Sequence, residues 1–170
     1  MGVSALVKKV LAESGINPER FNLQWASAAE APRFVKLITE FTVAIKRLGP
    51  LGQAEGLDPA TVKTKIANGL NLVSNRKLRV SFGNVTKTIR KDGTFTQEFI
   101  TSLVDEKLST GITAGLMEEG ILTSLKAKNQ TSSATLANEL GISTEQVEKI
   151  LAAFNKQGRV VQAGDIWSLA

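Results

Sequence analysis

The stretch that most constrains this chain runs from Gly15 to Pro50, where the hydrophobic period changes from two to about 3.6 within a dozen residues. Gly15-Ile16-Asn17-Pro18 reads as a helix stop followed by a turn. Phe21, Leu23 and Trp25 then alternate with Asn22 and Gln24, the mark of a half-buried strand. From Arg33 to Leu48 the apolar residues fall at Phe34, Leu37, Ile38, Phe41, Ala44, Ile45 and Leu48, a helical stripe closed by Gly49-Pro50. Ser27-Ala28-Ala29-Glu30 has the form of a capping box. Pro32 lies too deep for a helix begun at Ser27, because it lacks the N–H needed there. Either the helix kinks at Pro32, or it begins there and residues 27–31 form a separate turn.

Upstream, Val3, Leu6, Val7, Val10 and Leu11 predict a one-sided helix that ends before Gly15. The first fifty residues therefore read helix–strand–helix. A single strand makes no sheet, so this segment needs partners from later in the chain or from another chain.

Gln53 to Gly56 is a polar link. Asp58-Pro59 opens a helix to about Asn75, with Asp58 as cap and Pro59 at its first position. Lys77 to Phe82 and Val85 to Arg90, around Gly83-Asn84, predict an antiparallel hairpin. Thr94-x-x-Gln97 predicts a second capping box before a helix carrying Phe99, Ile100, Leu103 and Val104 inward. From Gly120 three short helices are expected: one around Ile121, Leu122 and Leu125, one around Leu136, Ala137 and Leu140, and one capped by Ser143-x-x-Gln146. A hairpin of Arg159–Gln162 and Ile166–Leu169 follows, with Trp167 packing it down. Three helices and a hairpin resemble a winged helix. The expected fold class is α/β or α+β, with residues 1–52, 53–119 and 120–170 as successive regions.

Composition excludes more than it suggests. The 170 residues contain no Cys, His or Tyr. Thiolate or imidazole coordination of a metal is therefore impossible within the chain, and so is a Ser–His or Cys–His nucleophile. No phosphate-binding glycine loop and no carboxylate array appears, so neither a catalytic nor a metal-binding residue is assigned. No apolar run approaches the roughly 18 residues of a membrane span, and a cytoplasmic protein is expected. The net charge of +5 is concentrated locally, because Arg76, Lys77, Arg79, Lys87, Arg90 and Lys91 follow one another with no acidic residue between them. That run reads as a patch for phosphates or for an acidic partner surface, or as the solvated face of the hairpin.

The Gly15–Pro50 stretch also resembles a known family, the delta (iron–sulfur) subunit of methyl-viologen-reducing hydrogenases, which partners heterodisulfide reductase. The resemblance is carried by Gly15, Ile16, Pro18, Glu19, Arg20, Trp25, Ser27, Ala28, Ala29, Glu30, Arg33, Phe34, Leu48, Gly49 and Pro50. It covers the second half of the family's domain. The first half normally brings the cysteines of a 2Fe–2S cluster, and this chain has none. The resemblance implies a subunit, or a split or truncated part of one, in an anaerobic electron-transfer complex of the hydrogenase/heterodisulfide reductase type. In that setting the chain docks and supports relay to a flavin subunit. The 2Fe–2S cluster and FAD would sit in partner chains or in a missing N-terminal half, Met1 being an internal methionine or the start of a split gene.

Within that frame Ser27 and Glu30 could offer helix N-terminal amides to a flavin phosphate or a cluster, or serve as an ordinary cap. Trp25 is a candidate interface anchor, and Arg20 and Arg33 candidates for ion pairs across a subunit contact. The basic residues Arg76, Lys77, Arg79, Lys87 and Arg90 complete the expected interface. The rival function is a winged-helix DNA-binding regulator. Against it, the early residues of the third C-terminal helix are Thr144, Glu145, Gln146 and Glu148, where a reader of DNA needs basic groups.

Overall fold

The computed structural model describes residues 1–170 and divides into two compact units, residues 1–113 and 114–170. Seven α-helices and three short strands occur in the order α1 (Gly2–Glu13), α2 (Ala31–Leu48), α3 (Pro59–Ser74), α4 (Arg76–Asp92), α5 (Gln97–Lys128), β1 (Gln130–Ser132), α6 (Ser133–Leu140), α7 (Thr144–Lys156), β2 (Val160–Ala163) and β3 (Ile166–Leu169). A 3-10 turn, Pro18–Arg20, separates α1 from α2. Helices with one small antiparallel sheet make this an α+β fold.

In the first unit, α1 ends as its sequence dictates. Gly15 takes φ +74°, its N–H bonds the Ala12 carbonyl and the Ile16 N–H bonds the Leu11 carbonyl, each at 2.9 Å. These are the two bonds of a Schellman cap, and they turn Ile16 into the core. Asp58 caps α3 through the N–H groups of Ala60 and Thr61, and Asn75 caps α4 through that of Lys77. The core gathers Val10, Ile16, Leu48, Leu72, Leu78, Val85, Ile89, Val104 and Leu108 from all five helices. Gly69 of α3 lets α1 approach closely, since a Cβ there would lie 3.4 Å from Val10. Lys9 pairs with Asp105 at 3.1 Å, and the Thr113 hydroxyl donates to Glu13 at 2.7 Å, so the first helix finds its neighbours later in the same chain.

Two expected β elements are absent here. Phe21 is extended (φ −119°, ψ 124°), and Phe21 and Leu23 are half-buried between exposed Asn22 and Gln24, but residues 21–27 join no sheet. The period of two survives as burial, without a strand to pair with. The hairpin expected between Lys77 and Arg90 is instead α4. Leu78, Val85 and Ile89, spaced seven and four apart, are buried on one face of it. Asn75 and the left-handed Gly93 cap its two ends, and Gly83-Asn84 lies inside it as ordinary helix. The cap of α5 also shifts: the Thr96 hydroxyl accepts from the Phe99 N–H at 3.3 Å, in place of the Thr94–Gln97 box.

The second unit begins within α5, so the expected helix around Ile121 is the end of a continuous 32-residue helix. Ile121, Leu125, Leu136, Val147, Leu151, Phe154, Val160 and Trp167 form its core. The Ser143–Gln146 capping box is complete, with Gln146 N–H to Ser143 Oγ at 3.2 Å and Ser143 N–H to Gln146 Oε1 at 3.1 Å. The sheet order is β1-β3-β2, antiparallel throughout, and Trp167 stands between Thr131 and Gln162 in register. β1 was not anticipated, being three residues long and polar.

Candidate functional site

The resembling stretch is built around Arg20, which faces inward. Its Nε donates to Glu55 Oε1 at 2.7 Å and its Nη2 to Glu55 Oε2 at 3.0 Å, a two-point pair whose side chains are 9% and 5% exposed. The same guanidinium donates to the carbonyls of Leu48 (3.1 Å), Gly49 (2.8 Å) and Pro50 (3.0 Å). The Leu48 and Gly49 carbonyls lie at the end of α2 without helical partners, at the negative end of its dipole, and the Pro50 carbonyl follows in the turn beyond it. Glu55 also accepts from the backbone N–H groups of Asn17 (3.0 Å) and Gly52 (3.2 Å). The Arg20 guanidinium, then the Asn17 N–H, hold its carboxyl down at about 2. Arg20, expected at a subunit contact, thus has its donors engaged within the chain. Glu55 was missed, although it is the only acidic residue between Glu40 and Asp58 and an inward Arg20 requires a carboxylate.

At the other end of α2, residues 27–30 form a turn of their own and the helix starts at Ala31, which settles the position of Pro32. Glu30 Oε2 accepts from the Ser27 N–H at 2.8 Å and Oε1 from Arg33 at 2.9 Å. The Ser27 backbone N–H, with Arg33, keeps the Glu30 carboxyl at about 2. Glu30 therefore places a fixed negative charge at the helix N-terminus, opposite to what a flavin phosphate would need there. Arg33 is exposed and paired locally with Glu30. Trp25 is 64% exposed.

The stripe of α2 opens progressively toward its N-terminus. Leu48 is buried, Ile45, Ala44, Phe41 and Leu37 are half-buried, and Ile38 and Phe34 are 50% and 55% exposed. A helix of 18 residues is about 27 Å long. Its anchored end is held by Arg20, and an exposed ion pair between Arg47 and Glu19 at 2.6 Å lies beside it. The open end presents apolar residues at the spacing of a docking helix.

The basic residues Arg76, Lys77, Arg79, Lys87 and Arg90 all lie on α4 and are exposed. In the second unit the early part of α7 exposes Glu145 and Glu148, and Glu148 accepts from the Ser133 hydroxyl at 3.2 Å. That face is acidic where a phosphate backbone would need cations. No three His, Cys, Asp or Glu residues converge as a metal site, and the chain has no thiolate or imidazole to hold an iron–sulfur cluster. No helix is long and apolar enough to cross a membrane.

Residues 3–49 match the family model described as methyl-viologen-reducing hydrogenase, delta subunit. The chain is 47% identical over 45 residues to the iron-sulfur subunit of the F420-non-reducing hydrogenase of Archaeoglobus profundus, an overlap covering 26% of this chain and 33% of that one. It is 48% identical over 44 residues to the vhu iron-sulfur subunit of the F420-non-reducing hydrogenase of Methanopyrus kandleri, covering 26% and 33%. It is 40% identical over 47 residues to one of the subunits of the ferredoxin:CoB-CoM heterodisulfide reductase of Methanosarcina mazei, covering 28% of this chain and 6% of that one. The overlap thus spans about a third of the hydrogenase subunits it matches. No solved structure matches. The turn, the Arg20 clamp's guanidinium and the amphipathic α2 all fall inside residues 3–49, and that segment is similar to the hydrogenase delta-subunit family.

Proposed function

We propose that this chain is a subunit, or part of a subunit, of a cytoplasmic electron-transfer complex of the hydrogenase/heterodisulfide reductase type. Its role there is docking: residues 1–50 seat on an oxidoreductase partner and support relay to a flavin-bearing subunit. The observation that carries this reading is the open apolar stripe of α2, Phe34 and Ile38 above all, inside the segment matched by the family. A stripe half-exposed at its free end fits a protein surface made to be covered. The residues of this chain do not fit an iron–sulfur cluster, and any cluster or flavin in the complex belongs to another polypeptide segment. The C-terminal unit we read as a winged helix used for packing or protein docking, given the acidic exposed face of α7.

The test is anaerobic affinity purification of the tagged chain from its native cell, alongside a Phe34→Glu/Ile38→Glu variant. Oxidoreductase subunits, with iron and flavin, should accompany the wild type and be lost with the variant. A chain that emerges alone from both preparations would overturn the proposal.

A further inference from the structure

A second surface in the first unit is independent of the α2 face. At 100° per residue, Arg76, Arg79, Lys87 and Arg90 fall within about 80° of arc on α4, with Lys91 beside them. None of these side chains, nor Lys77, forms an ion pair, whereas seven of the fifteen basic residues elsewhere do, among them Lys9, Arg20 and Lys128. Arg76 and Lys77 occupy the first turn of α4, the positive end of its dipole, with no acidic residue to offset them. Helix stability does not call for cations there.

Beside this stripe runs a groove of about 570 Å³. Leu6 of α1, Val73 of α3 and Phe82 of α4, each half-buried, contribute apolar surface to it. Arg79, Lys87 and Arg90 contribute its charged rim. From Leu78 to Arg90 the lining extends about 18 Å along α4, or three helical turns.

We propose that this groove is a docking site for an acidic amphipathic helix of a partner protein. Such a helix fills the apolar floor with residues spaced three and four apart and sets carboxylates against Arg79, Lys87 and Arg90. Charge complementarity selects an acidic occupant, and the floor selects a protein. A nucleic acid would leave the floor uncovered, because Phe82 is the only aromatic ring there and Gly2 already lies against it, an ideal Cβ on Gly2 falling 3.5 Å from the ring. Nor can α4 insert into a lipid surface, since its apolar face of Leu78, Val85 and Ile89 is turned into the core. The assignment stands whether or not α2 docks on an oxidoreductase.

The experiment uses the full chain and three labelled synthetic 18-residue helices with leucines at alternating spacings of three and four, flanked by Glu, Gln or Lys. By fluorescence anisotropy the Glu peptide should bind at least tenfold more tightly than the Gln peptide, and added salt should narrow the gap. An R79Q/K87Q/R90Q variant should lose that preference, and R79E/K87E/R90E should transfer it to the Lys peptide, with unchanged circular dichroism and melting in at least the neutral variant. Equal binding of the Glu and Gln peptides overturns the proposal. So does tighter binding of a 20-base-pair DNA duplex or of phosphatidylserine vesicles that the same variants abolish, since either would make the stripe a phosphate surface.

Discussion

Arg20 and Glu55, thirty-five residues apart, meet through two hydrogen bonds, and between them they tie the 3-10 turn, the end of α2 and the link after it into one knot. Removing one partner leaves a charge with almost no exposure and several backbone groups without partners. Arg20→Met and Glu55→Gln should each destabilise the first unit by about 3 kcal/mol. Urea denaturation followed by far-ultraviolet circular dichroism, to which the five helices of that unit contribute most, measures it. A loss under about 0.5 kcal/mol would mean that the pair is as weak as a surface ion pair.

The same pair sets a pH dependence. The Glu55 carboxyl is lowered from an ordinary value of 4.5 to about 2 by Arg20, so the folded state binds its proton less readily than the unfolded chain. Its stabilisation is complete above about 4.5 and is lost as pH falls from there toward about 2. Glu30, lowered to about 2 by the Ser27 N–H and Arg33, titrates in the same window. The contribution of Glu55 is therefore the difference between wild type and Glu55→Gln, which should shrink steadily between pH 5 and pH 2.5. A constant difference across that range would contradict the assignment.

Gly83 discriminates between helix and hairpin. In α4 it has an ordinary helical backbone, and a Cβ would meet nothing within 4 Å. Gly83→Ala should raise stability by about 0.5–1 kcal/mol, the usual gain from replacing glycine in a helix interior. A loss of that size in thermal denaturation would be the mark of a turn.

For the α2 face the informative variants separate fold from partner. Phe34 and Ile38 are half-exposed, so Phe34→Ser with Ile38→Ser should change the stability of the isolated chain by no more than about 1 kcal/mol. The same pair of changes should abolish co-purification of oxidoreductase subunits. Calorimetry of the isolated chain and a subunit inventory by mass spectrometry give the two readings.

Iron supplies a further test. With no Cys and no His, the purified chain should stay colourless after anaerobic incubation with iron and sulfide followed by desalting. Stoichiometric visible absorption would require ligands of a kind that this sequence does not contain.

Local signals in the sequence carried much of the fold. The Gly15 stop, the Asp58 cap with Pro59 and the Ser143–Gln146 box each act over four residues, and each stands where expected. The α2 stripe was legible for the same reason. The hairpin reading of residues 77–90 failed because Leu78, Val80 and Phe82 alternate over only six residues, while the helical repeat of Leu78, Val85 and Ile89 needs twelve to show itself. Phe21 to Trp25 misled differently: Phe21 and Leu23 are half-buried with no strand involved. The Arg20–Glu55 pair was beyond local reading, since its partners are thirty-five residues apart and its geometry exists only after α2 has turned back. That Arg79, Lys87 and Arg90 share a rim likewise follows from the helix, and was hidden while the segment read as two strands.

Mechanically, α2 is a cantilever. Arg20, Leu48 and the carbonyls at its root fix the direction of the beam, and Phe34 and Ile38 stand exposed at its tip. Root and tip are separated by three to four turns of helix, far enough for substitutions at one to leave the other nearly unaffected. The tip can therefore change its chemistry while the root keeps the fold.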